Sequence, residues 1–210
     1  MSTYSPLEEK ANIGTHAFGW IMSGIALFLL LQRALPSGDI LHTIAFAVFG
    51  LSMMVLYAAS TLYHSATDPV RRARLRIFDH AAIYVLIAGT YTPFTLLVLP
   101  SPIGTILLAA VWLMAVAGII IKLFFTGRFK LFSTLMYVSM GWLIVFAFNP
   151  LLESMEPHGL QWLLAGGIAY TVGAVLYSIK KLPFNHAIFH VFVLAGTFCH
   201  FIAVYQYCLP

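Results

Sequence analysis

Charge is what this sequence has least of. Asp, Glu, Lys and Arg make up 9% of its 210 residues, whereas a water-soluble domain carries about 25%. With 61% hydrophobic residues, there are too few polar side chains to cover a water-facing surface, which excludes an ordinary soluble fold. Cysteine is scarce too. The chain has only Cys199 and Cys208, both in its last apolar segment. On one helix they would stand ~13 Å apart, beyond disulfide reach, so they read as apolar fillers with no redox role. No cleavable leader is expected either. The first fifteen residues, MSTYSPLEEKANIGT, are polar and hold two glutamates, unlike a basic stretch followed by a short apolar core. The first hydrophobic segment is therefore expected to stay as a helix. Alternation of polar and apolar residues in ~10-residue blocks is absent, which argues against an outer-membrane barrel.

What the chain does have is seven apolar runs of about 20 residues, each long enough to cross a ~30 Å hydrocarbon core. They fall at roughly 17–35, 41–63, 79–99, 103–125, 131–149, 160–179 and 187–208. Proline and glycine punctuate them, as in LPSGD, LPSP and FNP. The expected fold is an all-α integral membrane protein of seven transmembrane helices. A short N-terminal segment, 1–15, precedes a single membrane domain, 16–210. With seven spans, one side holds Lys10, Arg71, Arg72, Arg74, Arg76, Lys122, Arg128, Lys130, Lys180 and Lys181. The other side holds only Arg33. The positive-inside rule places the basic side in the cytoplasm, so the N-terminus is expected inside and the C-terminus outside, on the periplasmic face. RRARLR, 71–76, reads first as the signal that keeps its loop in the cytoplasm, and second as an attractor of anionic headgroups. The net charge of +4 is thus a matter of topology and carries no sign of nucleic-acid binding.

Ionisable side chains inside spans are costly and usually face a bundle interior. Here they gather toward the basic side. His64 closes the second span with Ser60 one turn before it, Asp79 opens the third, His186 and His190 open the seventh, and His16 opens the first. Residues at i and i+4 share a helix face ~5–6 Å apart, so His186 and His190 can share a metal ion, and His64 can supply a third nitrogen. Zinc favours four tetrahedral ligands. Imidazoles also suit nickel, copper and iron. Asp79 is either a fourth ligand or the base that takes a proton from a bound water. Ser60 is placed to steady a developing oxyanion. Glu9, Asn12 and His16, at i, i+3 and i+7, present either a solvated helix start or an outer layer that orients the ligands. The bland alternative for a histidine pair at a helix end is a polar interface. That reading suits His42, His80 and His158, and His200 reads as a hydrogen-bonded histidine of the bundle.

The stretches EEKANIGTH, STLYHS, FDHAAIYVLIAGTYTPF and HAIFHVFVLAGTFCHF together resemble the bacterial hemolysin III branch of the progestin and adipoQ receptor (PAQR) family, in order and over essentially the whole chain. The resemblance implies seven helices with the N-terminus inside and a zinc ion held near the cytoplasmic side by His64, His186 and His190, with Asp79 and Ser60 matching the family's aspartate and serine. It also implies two activities. One, from eukaryotic relatives, is zinc-dependent hydrolysis of ceramide-type lipid amides; the other, from the bacterial branch, is a role in membrane-lipid homeostasis. The first expectation for this chain is a zinc-dependent inner-membrane hydrolase of lipid amides or esters, with membrane lipids as partners, and the second is a non-enzymatic sensor of membrane lipid state with structural zinc. A channel or cytolytic pore is a third reading, but a secreted pore-former must be soluble before it inserts, and this chain is apolar throughout.

Overall fold

The computed structural model describes residues 4–125 and 130–209. Arg128, one of the basic residues in the topology count, lies outside the described residues. Every long element is a helix: α1 Pro6–Ala34, α2 Ile40–Ser65, α3 Pro69–Pro93, α4 Ile103–Phe125, α5 Lys130–Gly141, α6 Phe148–Ser154, α7 Pro157–Ser178 and α8 Asn185–Tyr207. Among the described residues, seven segments are long and apolar enough to span a bilayer, with α5 and α6 together forming the fifth. The seven-span, all-helical architecture expected from composition is the one observed.

The helix starts follow local chemistry. Ser5 accepts a hydrogen bond from the Glu8 amide, Pro6 sits in the first turn, and Glu8 and Glu9 face the positive end of α1. Asp39 accepts from the Leu41 amide at 2.8 Å and Asp68 from the Arg71 amide at 2.7 Å, starting α2 and α3. These caps explain two departures from the expected spans. Helix α1 begins at Pro6 rather than near 17, and α3 at Pro69 rather than near 79. A hydropathy window finds what sits in lipid, not where a helix starts. Asp79 and His16 therefore stand well inside their helices. The polar first turns of α1 reach past the apolar run and carry Glu9 toward the end of α2 and Asn12 and Thr15 toward α8.

The fifth span is broken, where a single helix over 131–149 was expected. Helix α5 ends at Gly141, a 3₁₀ turn covers Leu143–Ala147, and α6 follows. Such a break strands backbone groups in a region without water. The Tyr91 hydroxyl resolves it: it donates to the Gly141 carbonyl and accepts from the Ile144 amide, both at 2.9 Å.

The helices pack in a ring. Neighbours in sequence from α1 to α4 lie side by side, α5 bridges α3, α4 and α7, and α8 closes the ring between α7 and α1. The third span is the most buried. Helix α1 comes close to α2 and α8 because Gly19 has no side chain; a Cβ there would stand 2.7 Å from Tyr57 and 2.8 Å from Leu194. A polar clamp ties α2, α8 and α7 at mid-depth: Tyr57 donates to Thr197 Oγ1 at 2.8 Å, and Tyr170 shares a bond with the same oxygen at 2.7 Å. Cys199 and Cys208 are free thiols. The end of α2, the first turns of α3 and the start of α8 all lie at one end of the bundle, together with Lys180 and Lys181.

Candidate metal centre

At that end three buried imidazoles meet. His64, His186 and His190 each offer a ring nitrogen, and these atoms lie within 4.8 Å of one another. His64 Nε2 and His190 Nε2 are each 3.1 Å from His186 Nε2. His186 and His190 come from one face of α8, whose start is set by Phe184 in the left-handed region at φ 56°. His64 comes from the last turn of α2.

The outer nitrogens decide what the inner ones carry. His64 Nδ1 is 2.6 Å from Glu9 Oε2; a carboxylate only accepts, so Nδ1 bears the proton and Nε2 presents a lone pair. Thr15 spends its hydroxyl proton on the Ala11 carbonyl at 2.8 Å and so accepts from His190 Nδ1 at 3.3 Å. His190 Nε2 then also presents a lone pair. Both lone pairs face His186 Nε2, and one proton there can satisfy only one of them. A cation at the centre satisfies all three nitrogens. Tetrahedral zinc with bonds of ~2.0–2.1 Å sets its nitrogens about 3.3–3.4 Å apart, close to the two 3.1 Å separations from His186. The donor set therefore fits a metal and is compatible with zinc.

Glu9 is itself held: its other oxygen pairs with the Arg72 guanidinium, and Asn12 Nδ2 donates to Oε2 at 3.4 Å. Arg72 also donates to the carbonyls of His64 at 3.3 Å and Ala66 at 3.2 Å, and lies over the Tyr63 ring. His16 makes no hydrogen bond through either ring nitrogen. It stacks flat on His190, with centroids 3.5 Å apart and planes 9° from parallel. Tyr4 stacks on His186 at 4.8 Å, and burial pushes its phenol up, keeping it neutral. Sequence reasoning missed Thr15, Arg72 and Tyr4. Thr15 adjoins His16 in GTH, and that adjacency was the only available signal.

Asp79 and Ser60 line the adjoining cavity with His186 and His190. Ser60 Oγ is buried without a partner, one turn from His64. Asp79 is buried but is not part of the histidine cluster, and no carboxylate joins that cluster among the described residues. The cavity measures about 710 Å³. A second, apolar pocket of about 280 Å³ shares Tyr91, Trp142 and His200 with it and extends it. His200 bonds the Leu163 carbonyl at 3.1 Å, away from the metal centre. His80 bonds the Arg76 carbonyl at 2.6 Å and lines the cavity, and His42 sits near Ser37.

Fold and site together define a seven-helix membrane protein with a buried cluster of three histidines, able to hold a metal ion, at one end of its bundle. The chain belongs to the Haemolysin-III related family, whose model matches residues 4–201. It is similar to Hemolysin-3 of Bacillus cereus, at 51% identity over 97% of this chain and 93% of that protein. It is similar to the Hemolysin-3 homolog of Bacillus subtilis (strain 168), at 47% over 96% and 95%. It also matches the Monocyte to macrophage differentiation factor of Homo sapiens, a PAQR-type relative, at 31% over 95% and 84%. The expected family is the one found. Its bacterial homologues and seven spans make this a multi-pass protein of the bacterial inner membrane.

Proposed function

We propose that this protein is a zinc-dependent hydrolase of lipid amides or esters whose site faces the cytoplasm. The observation that carries this reading is a three-nitrogen donor set with no carboxylate as fourth member among the described residues, beside a cavity lined by Asp79 and Ser60. Structural zinc sites normally close with four protein ligands, whereas catalytic ones keep a position open. The sensor reading, with zinc as a staple, needs that fourth ligand.

His64, His186 and His190 would hold the zinc, which would supply Lewis acidity beside the substrate carbonyl. Asp79 takes the proton of the water that adds to the carbonyl carbon. Ser60, whose hydroxyl has no other partner, donates to the oxygen that gains charge. As the C–N or C–O bond breaks, Asp79 returns the proton to the leaving amine or alcohol. Glu9 and Thr15 hold His64 and His190 in the tautomer that keeps Nε2 free. The acyl chain lies along the apolar extension of the cavity, whose volume is in the range of small-molecule sites, about 300–1,000 Å³.

The test is hydrolysis of a broad panel of lipid amides and esters by purified, zinc-loaded protein. Asp79→Asn should keep zinc and lose turnover. His186→Ala with His190→Ala should lose zinc. No hydrolysis across the panel by fully loaded protein, or full turnover by Asp79→Asn, would overturn the proposal.

A further inference from the structure

The charges on the cavity wall do not balance. Arg76, Lys122, Lys180 and Lys181 line it against Glu8 and Asp79, an excess of two positive charges before any metal is counted. Lys122 is the unexpected member. As a sequence feature it is one of the basic residues that set topology. In the structure it turns inward and is only 4% exposed. A lysine near a helix end normally extends its stem to the membrane surface. Here its neighbours Phe124 and Phe125 face outward, while Nζ donates to Ser133 Oγ at 2.5 Å and lies 5.8 Å from the Tyr137 ring. Ser133 and Tyr137 line the same cavity. Arg76 lines the same cavity from α3, one turn before Asp79, and its buried Nε has no acceptor among the described residues.

A neutral amide lipid offers these cations only uncharged acceptors. An anionic phosphate offers charged ones, and Arg and Lys are the side chains that pair with phosphate oxygens. We propose that the metal end of the cavity takes a lipid with an anionic phosphate headgroup, recognised by Lys122 and Arg76. This rests on the reading of the cavity as a lipid site and narrows its ligand class. Lys180 and Lys181, in the loop before α8, draw such headgroups to the entrance. RRARLR then has two roles: Arg71 and Arg74, exposed, mark the cytoplasmic loop, while Arg76 reads the ligand.

The test is competitive lipid binding to the zinc-loaded full chain in detergent, read by native mass spectrometry. The probes are phosphatidic acid, diacylglycerol of the same chains and inorganic phosphate. Phosphatidic acid should bind at least about tenfold tighter than diacylglycerol. Lys122→Met and Arg76→Gln should each cut that preference about five- to tenfold, with zinc content and diacylglycerol binding unchanged. Equal binding of the two lipids overturns the proposal. So does a preference that survives both variants, because the metal alone would then be reading the phosphate. Displacement of the lipid by inorganic phosphate at matching concentration overturns the lipid source. If Lys122→Met fails to fold, Arg76→Gln carries the test. No turnover is measured, so a failed hydrolysis panel leaves this result standing, and the reverse also holds.

Discussion

Replacing Glu9 tests the proposed metal centre without touching a proposed ligand. Its Oε2 accepts from His64 Nδ1 at 2.6 Å, with the His64 side chain fully buried and Glu9 14% exposed. That bond fixes the ring and keeps Nε2 unprotonated. Glu9→Gln keeps an acceptor of the same shape but loses the charge, and charge-assisted bonds are about twice as strong as neutral ones. Zinc affinity should fall about tenfold, or ~1.4 kcal/mol. Glu9→Ala removes acceptor and charge together, and affinity should fall about a hundredfold, or ~2.7 kcal/mol. The fold should survive, because Arg72 retains its bonds to the His64 and Ala66 carbonyls. The assay is zinc titration of purified protein against a chelator of known affinity, with thermal melting of the metal-free form as a control. Zinc affinity of folded Glu9→Ala within twofold of the parent would refute the claim that Glu9 sets the His64 tautomer.

Thr15→Val keeps shape but removes the acceptor for His190 Nδ1. Zinc affinity should fall about three- to tenfold in the same titration, and no change would show that Thr15 does not orient the ring. Gly19→Val should lower both thermal stability, by about 1–3 kcal/mol, and zinc affinity, because it pushes α1, with Glu9 and Thr15, off Tyr57 and Leu194. Tyr91→Phe should cost about 1–3 kcal/mol by stranding the Gly141 carbonyl and Ile144 amide, with zinc content unchanged. A single cysteine placed at Ser2, in a background lacking Cys199 and Cys208, should resist membrane-impermeant thiol reagents in intact cells and react after lysis. Labelling in intact cells would reverse the orientation.

Much of the site was legible because its logic is local. Apolar runs of bilayer length mark spans whatever their neighbours do. The i, i+4 spacing of His186 and His190 puts both on one face of any helix. The basic loops gather at one end, and His64, Asp79 and Ser60 fall at that end by counting alone. Helix boundaries were less legible. The caps that extend α1 back to Pro6 and α3 back to Pro69 lie in polar sequence, which hydropathy reads as loop.

Sequence by itself therefore determined the number of spans, the end of the bundle where the histidines gather, and the pair of imidazoles on α8. Tertiary structure alone decided which side chains meet across helices. Glu9 meets His64 across 55 positions, and Thr15 meets His190 across 175. Whether Lys122 faces lipid, surface or cavity was likewise decided there, as was the ability of Tyr91 to hold the broken fifth span. The physical reason is common to all of these. A helix's own sequence sets its faces, but its rotation and depth against its neighbours are set by packing, such as the close approach that Gly19 allows. That rotation turned His16 from a possible hydrogen-bonding partner into a flat stack on His190, and Lys122 from a mark of topology into part of the cavity wall.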